Sequence, residues 1–115
     1  MAEMLYDAAI GLSQISQNKL DFYVDAVGFA ADPFGPVTKI RYNCYIRVIH
    51  KGYLHLLFQV TTPSSSPFEA EIGTPEGDSF PSIRDENELV NTISKILQRP
   101  RTKEAVEYLL RVAVP

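Results

Sequence analysis

Cys44, His50 and His55 are the chain's single thiol and its two imidazoles, so nucleophilic or transition-metal chemistry would begin with them. A Cys-His pair works when the imidazole reaches the sulfur within hydrogen-bond distance. Strand alternation predicts separation instead: Cys44 on the inward phase of one strand, His55 on the outward phase of the next, and His50 in the turn between them. Cys44 therefore reads as a small buried hydrophobe, a common fate of a free cysteine. The offset between His50 and His55 matches no established ligand spacing, so no metal site is assigned. Ser64, Ser65 and Ser66 lack the Gly-x-Ser-x-Gly surround of a nucleophile elbow and belong to a polar linker from Thr62 to Pro67. The six glycines are scattered, which argues against a phosphate cradle. Seven acids between Glu69 and Glu88 lack the spacing of a calcium loop and read as a solvated acidic surface. No catalytic residue and no cofactor is assigned, and the chain leans away from being an enzyme.

One constellation stands above this background. Tyr23, Arg41, Tyr45, Arg47, Tyr53 and His55 all fall on the outward phase of their strands, together with Asp21, Asp25, Asn43, Ile49, Leu57 and Gln59. Tyrosine and arginine are enriched at interfaces because each supplies large contact area and directed hydrogen bonds at modest entropy cost. The leading expectation is a non-enzymatic protein-binding module of the inhibitor, immunity or chaperone-like kind, working through this face, with the acidic loop as the other candidate surface. A nucleic-acid-associated module using Arg41, Arg47 and the Arg99 to Lys103 cluster is the alternative, although acids on the same face would repel a phosphate chain. A small-molecule pocket or enzyme between sheet and helices, with Tyr42 as its polar handle, is the third. Self-association is compatible with all three.

The elements that must position these residues follow from periodicity. Leu5, Ala8, Ala9, Leu12 and Ile15 recur at helical spacing, predicting an amphipathic helix over 3–17. From Leu20 the period becomes two, with an apolar slip to Val27 and Phe29 around Gly28 that predicts a bulge there. Asp32-Pro33-Phe34-Gly35 has the residues of a type I turn and is expected to close the first hairpin. Ile40, Tyr42, Cys44, Ile46 and Val48 alternate with Lys39, Arg41, Asn43, Tyr45 and Arg47. Leu54, Leu56, Phe58 and Val60 supply the inward phase of the partner strand. Matching inward to inward predicts a three-residue His50-Lys51-Gly52 turn, with Cys44 opposite Phe58, Ile46 opposite Leu56 and Val48 opposite Leu54. The same matching, with a bulge at Gly28, sets Phe22 against Cys44, Val24 against Tyr42 and Asp25 against Arg41.

Phe68, Ala70 and Ile72 read as a short fourth strand with a charged, unpaired edge, and 73–84 as a loop. Asp85 and Glu88 have capping-box spacing ahead of the apolar stripe Leu89, Val90, Ile93, Ile96 and Leu97, which Pro100 ends. Thr102 then caps a last helix with Val106, Leu109, Leu110 and Ala113 inward. The expected fold is one α+β domain over 1–115: an antiparallel sheet of three to four strands with one N-terminal and two C-terminal helices packed on one face.

Bulk properties set the frame. At 115 residues with 45% apolar and 22% charged residues the chain is an ordinary globular sequence. One cysteine excludes an internal disulfide, and no apolar run approaches the roughly 18 residues of a spanning helix, so a soluble protein of the reducing cytoplasm is expected, without a membrane partner. The net charge of −3 is unevenly placed: 1–38 and 69–88 are acidic, whereas 39–51 and 95–111 are basic.

Overall fold

In the computed structural model, which describes residues 2–8, 20–30, 32, 34–48, 53–66 and 68–113, a short helix α1 (Ala2–Ala8) precedes five strands, β1 (Leu20–Phe29), β2 (Lys39–Val48), β3 (Tyr53–Pro63), β4 (Ala70–Gly73) and β5 (Ser79–Ile83). Two helices follow, α2 (Glu86–Leu97) and α3 (Pro100–Ala113). The strands form one antiparallel sheet in chain order. The fold is α+β, with one more strand than periodicity suggested. The first helix is traced to Ala8, and the rest of the expected 3–17 span lies outside the described residues.

The inward phase of β2 builds the core. Cys44, Ile46 and Val48 are fully buried beside Leu20 and Phe22 of β1, Phe58 and Val60 of β3, and Ala70 and Ile72 of β4. Leu5, Leu89, Ile93, Ile96 and Leu109 close over them from the helices in one cluster. Each large apolar side chain in this layer contributes about 1.5–3 kcal/mol by leaving water. The Phe22 ring meets Tyr6 edge-on at 5.7 Å and lies 6.2 Å from the Phe58 ring, which joins α1, β1 and β3.

Four expectations about the sheet and its connections change. First, β3 is bulged between Phe58 and Leu56: Cys44 faces Phe58 as expected, but Tyr45 then pairs with Leu56, Ile46 with His55, Arg47 with Leu54 and Val48 with Tyr53. One extra residue, Leu57, inverts the faces of everything before it in the strand. Val48 opposite Tyr53 leaves a four-residue connection, 49–52, in place of the three-residue turn; the backbone of Gly52 lies outside the described residues. Adjacent leucines at 56 and 57 satisfy either phase, and the bulge seats Leu57 in the core beside Phe58.

Second, β1 is regular from Leu20 to Phe29, with Phe22 opposite Ile46, Val24 opposite Cys44 and Asp25 opposite Asn43. No bulge sits at Gly28. The apolar slip occurs where helix cover ends, since Ala26 and Gly28 are exposed on the helix side and lose any inward preference. Gly28 is instead a point of close approach: a Cβ there would stand 2.9 Å from Val37 Cγ1, so the half-exposed valine side chain would have to shift. Third, the Asp32 to Gly35 turn forms, with the Gly35 amide donating to the Asp32 carbonyl at 2.9 Å, but it lies inside a longer connection closed by the Thr38 amide on the Phe29 carbonyl at 3.1 Å. The added loop residues restore face matching without a bulge.

Fourth, 73–84 contains a strand. β5 pairs with β4, so the acidic β4 is interior to the sheet. Pro81 hid it from periodicity, yet an edge strand tolerates proline, and the irregular register beside Ser82, at φ 62, accommodates the break.

The helix ends follow local hydrogen bonding. Asp85 caps α2 by accepting from the Glu88 amide at 2.8 Å, and Glu88 reaches back to accept from the Arg84 amide at 2.9 Å. Thr102 is not the cap of α3, which starts at Pro100 with the Arg99 carbonyl accepting from the Lys103 amide. Its buried hydroxyl instead donates to the Ile96 carbonyl at 2.7 Å, a second bond on an acceptor that the Arg99 amide reaches at 3.2 Å, which ties the start of α3 to the end of α2. Asp85→Ala is expected to cost about 1 kcal/mol in urea unfolding and Asp85→Asn much less, because an amide oxygen still caps.

Candidate interface on the open sheet face

β1 and β2 hold the face opposite the helices. Asp21, Tyr23, Asp25, Val27 and Phe29 pair on it with Arg47, Tyr45, Asn43, Arg41 and Lys39. The bulge adds Leu54 beside Arg47 and Leu56 beside Tyr45.

Arg47 is fixed at one end of this face. Its Nε and Nη2 donate to the two carboxylate oxygens of Asp21 at 3.0 and 2.6 Å, and its guanidinium lies 5.2 Å from the Tyr23 ring centroid. The fork to Asp21 raises the Arg47 pKa further, so the group is a permanent cation with a permanent counter-charge. The Tyr23 and Tyr45 rings lie 6.2 Å apart, tilted by 37° to one another. Desolvation first, and then the Asp25 carboxylate, raise the Tyr45 pKa, keeping its phenol a neutral hydrogen-bond donor and acceptor.

A polar ladder crosses the middle of the face: Asn43 Nδ2 donates to Asp25 at 2.8 Å, and Gln59 Nε2 donates to the Asn43 carbonyl oxygen at 2.7 Å. Asp25 therefore does not meet Arg41. Arg41 lies instead over the Phe29 ring, 5.2 Å from its centroid, at the far end where Val27 is half exposed.

Of the six residues expected on this face, Tyr23, Arg41, Tyr45 and Arg47 are there. Tyr53 and His55 are on the helix-side face, because each pairs with an inward residue of β2. Leu57, also expected outward, is buried. Leu54 and Leu56 take their places, a substitution visible from sequence only if the Leu56-Leu57 pair is read as a bulge.

On the helix side, His55 borders a cleft of about 500 Å³ with Leu57, Glu76, Asp78, Ile96, Arg99 and Arg101. Arg99 is engaged there, ion-paired with Asp78 and stacked on Phe80. The Arg99 to Arg101 cations thus sit across the sheet from Arg41 and Arg47, so the two basic groups form no common track. Tyr42 borders a separate, shallower depression of about 240 Å³ with Ile40, Thr62 and Ser64 to Ser66. Cys44 is enclosed, with its sulfur 3.8 Å from the Tyr42 carbonyl. Among the described residues no three His, Cys, Asp or Glu side chains gather as a metal site requires, and no helix is long and apolar enough to cross a membrane. Neither a family model, nor a curated protein, nor a solved structure matches the chain.

Proposed function

We propose that this chain is a non-enzymatic protein-binding module of the cytoplasm, inhibitor-like or chaperone-like, whose contact surface is the open sheet face centred on Tyr23, Tyr45 and Arg47 with Leu54 and Leu56. The observation that carries this reading is the locked cluster: an arginine held in a two-point fork and stacked on a tyrosine, with a second tyrosine beside it and an exposed leucine at its border. Side chains already fixed in one rotamer lose little entropy on binding, and an aromatic body with polar tips suits a buried anchor. The same pairing argues against a phosphate chain as ligand, since Asp21 already neutralises Arg47.

The test uses the immobilised chain as bait in lysate of the source cell, compared with Tyr45→Ala and Leu54→Asp on the face and Glu76→Ala away from it. A protein retained by the wild type and by Glu76→Ala, but lost from both face variants, is the expected result. Calorimetry with that protein should then show Tyr45→Ala weakening binding by about 2 kcal/mol or more, with weak dependence on salt. Retention governed by Glu76, or by nucleic acid with a steep loss at high salt, would place function elsewhere.

A further inference from the structure

A second surface, the outer edge of β1, has properties that the face cluster does not use. Among the described residues β1 is the edge strand of the sheet, with no strand beyond it. The Val24 amide turns outward and donates to the Tyr6 hydroxyl at 3.1 Å, so the even-numbered backbone groups of β1 point away from β2. Tyr6 covers this edge at Val24. The outward amides of Ala26 and Gly28 have no partner among the described residues.

Natural sheets guard such edges with lysine, proline, bulges or short length. This one has none of these devices: β1 runs ten residues in regular register, and its open half with the residue that follows it reads Ala26-Val27-Gly28-Phe29-Ala30, without charge. Exposed apolar side chains concentrate at the same end, with Val27 52%, Phe34 99% and Val37 52% accessible.

We infer that the occupant of this edge is a second copy of the chain, paired antiparallel through β1 about a two-fold axis at Gly28 to make one continuous sheet across the dimer. The sequence selects that partner, because Ala-Val-Gly-Phe-Ala is a palindrome of residue kind. An axis at Gly28 sets Ala26 against Ala30 of the second copy, Val27 against Phe29, and glycine against glycine. Gly28 presents both outward backbone groups, so it forms a reciprocal hydrogen-bonded pair with its own copy, and each Ala26 amide adds a bond. Val27 and Phe29 cover each other on the open face as a non-hydrogen-bonded pair, where side chains lie closest. The axis also leaves the Tyr6 bond to Val24 intact and keeps Asp21 and Asp25 outside the paired stretch, so no acids confront each other. An axis at Ala26 would instead displace Tyr6. The contact is small, so the dimer should be reversible, with a dissociation constant of roughly tens of micromolar.

Analytical ultracentrifugation from about 5 µM to 500 µM, a range bracketing weak association, should show the mass doubling. Ala26→Pro removes an outward amide at an edge position that tolerates proline, and Val27→Lys places charge in the pair; both should stay monomeric across the range while keeping wild-type circular dichroism. Register is read by mixing two single variants, Val27→Cys and Phe29→Cys. The mixture should cross-link under mild oxidation into a disulfide-bonded dimer, whereas either variant alone should do so far more slowly, because Val27 then meets Val27 only diagonally. Cys44 is enclosed and does not interfere. A chain monomeric throughout the range, a dimer indifferent to both edge variants, or equal cross-linking with and without mixing would each overturn the proposal. If Ala26→Pro fails to fold, Val27→Lys and the cysteine pair still decide it.

Discussion

Leu57→Ala should destabilise the protein by about 2–4 kcal/mol, whereas Leu54→Ala, three residues earlier in the same strand, should cost under about 1 kcal/mol. Strict alternation anticipates the reverse, since it sends Leu54 inward and Leu57 outward. The bulge decides: Leu57 is 6% exposed in the core and Leu54 is 49% exposed on the open face. Removing Leu57 takes apolar area from the core cluster it shares with Phe58 and deepens the cleft it lines with Ile96 and the start of α3, where the Thr102 bond to Ile96 pins the backbone and limits collapse. Urea unfolding of the two variants checks this, and equal costs, or a larger cost for Leu54→Ala, would mean that the strand runs without its extra residue. Leu54→Ala should at the same time weaken partner binding, which separates the two leucines by function as well as by stability.

The same pair of leucines marks where the sequence stops being legible. β2 could be read outright, because five inward apolar residues alternate with five polar or aromatic ones and only one phase buries them. That phase correctly put Cys44 inside, opposite Phe58, and set Tyr45 and Arg47 on the other face. The Asp85 cap was equally readable, being a local hydrogen bond between near neighbours in sequence. Where an apolar run offers two phases, as in Leu54-His55-Leu56-Leu57-Phe58, the helices packed above choose between them, and the strand's own residues carry no record of that choice. His55 and Tyr53 changed faces for this reason alone.

β5 and the first connection were missed differently. Pro81 forbids a central strand but not an edge one, and whether β5 is an edge depends on the whole sheet. The Asp32 to Gly35 turn was recognisable, yet a turn signature says where the chain reverses and not how many residues surround the reversal. Of the candidate interface, the residue types were legible, whereas the Asp21 fork that fixes Arg47 depends on a register that the expected bulge at Gly28 had displaced.

Stability should fall steeply in mild alkali, and Cys44→Ala should abolish much of that fall. Burial, and to a smaller extent the negative charge of Asp25, push the Cys44 thiol far above its ordinary range, so the folded chain keeps this proton at any pH in which it survives. In the unfolded chain the thiol ionises near pH 8.5. Below that value both states hold the proton and the group is neutral to folding. Above it the unfolded state releases a proton that the native state retains, so the native state binds more protons and loses stability with each further rise in pH, by about 1.4 kcal/mol per unit. Near pH 10 the thiol alone should have removed about 2 kcal/mol, with Tyr45 adding a loss of the same sign once an ordinary tyrosine would ionise. Cys44→Ala trades this linkage for a small cavity costing roughly 1 kcal/mol at neutral pH, so wild type should be the more stable protein at pH 7 and the less stable one at pH 10. Urea unfolding at the two pH values reads the crossing. Parallel losses in wild type and variant would show that the sulfur is reached by water, and the closed packing of Cys44 between Phe58 and the helices would then be the part of the fold to abandon.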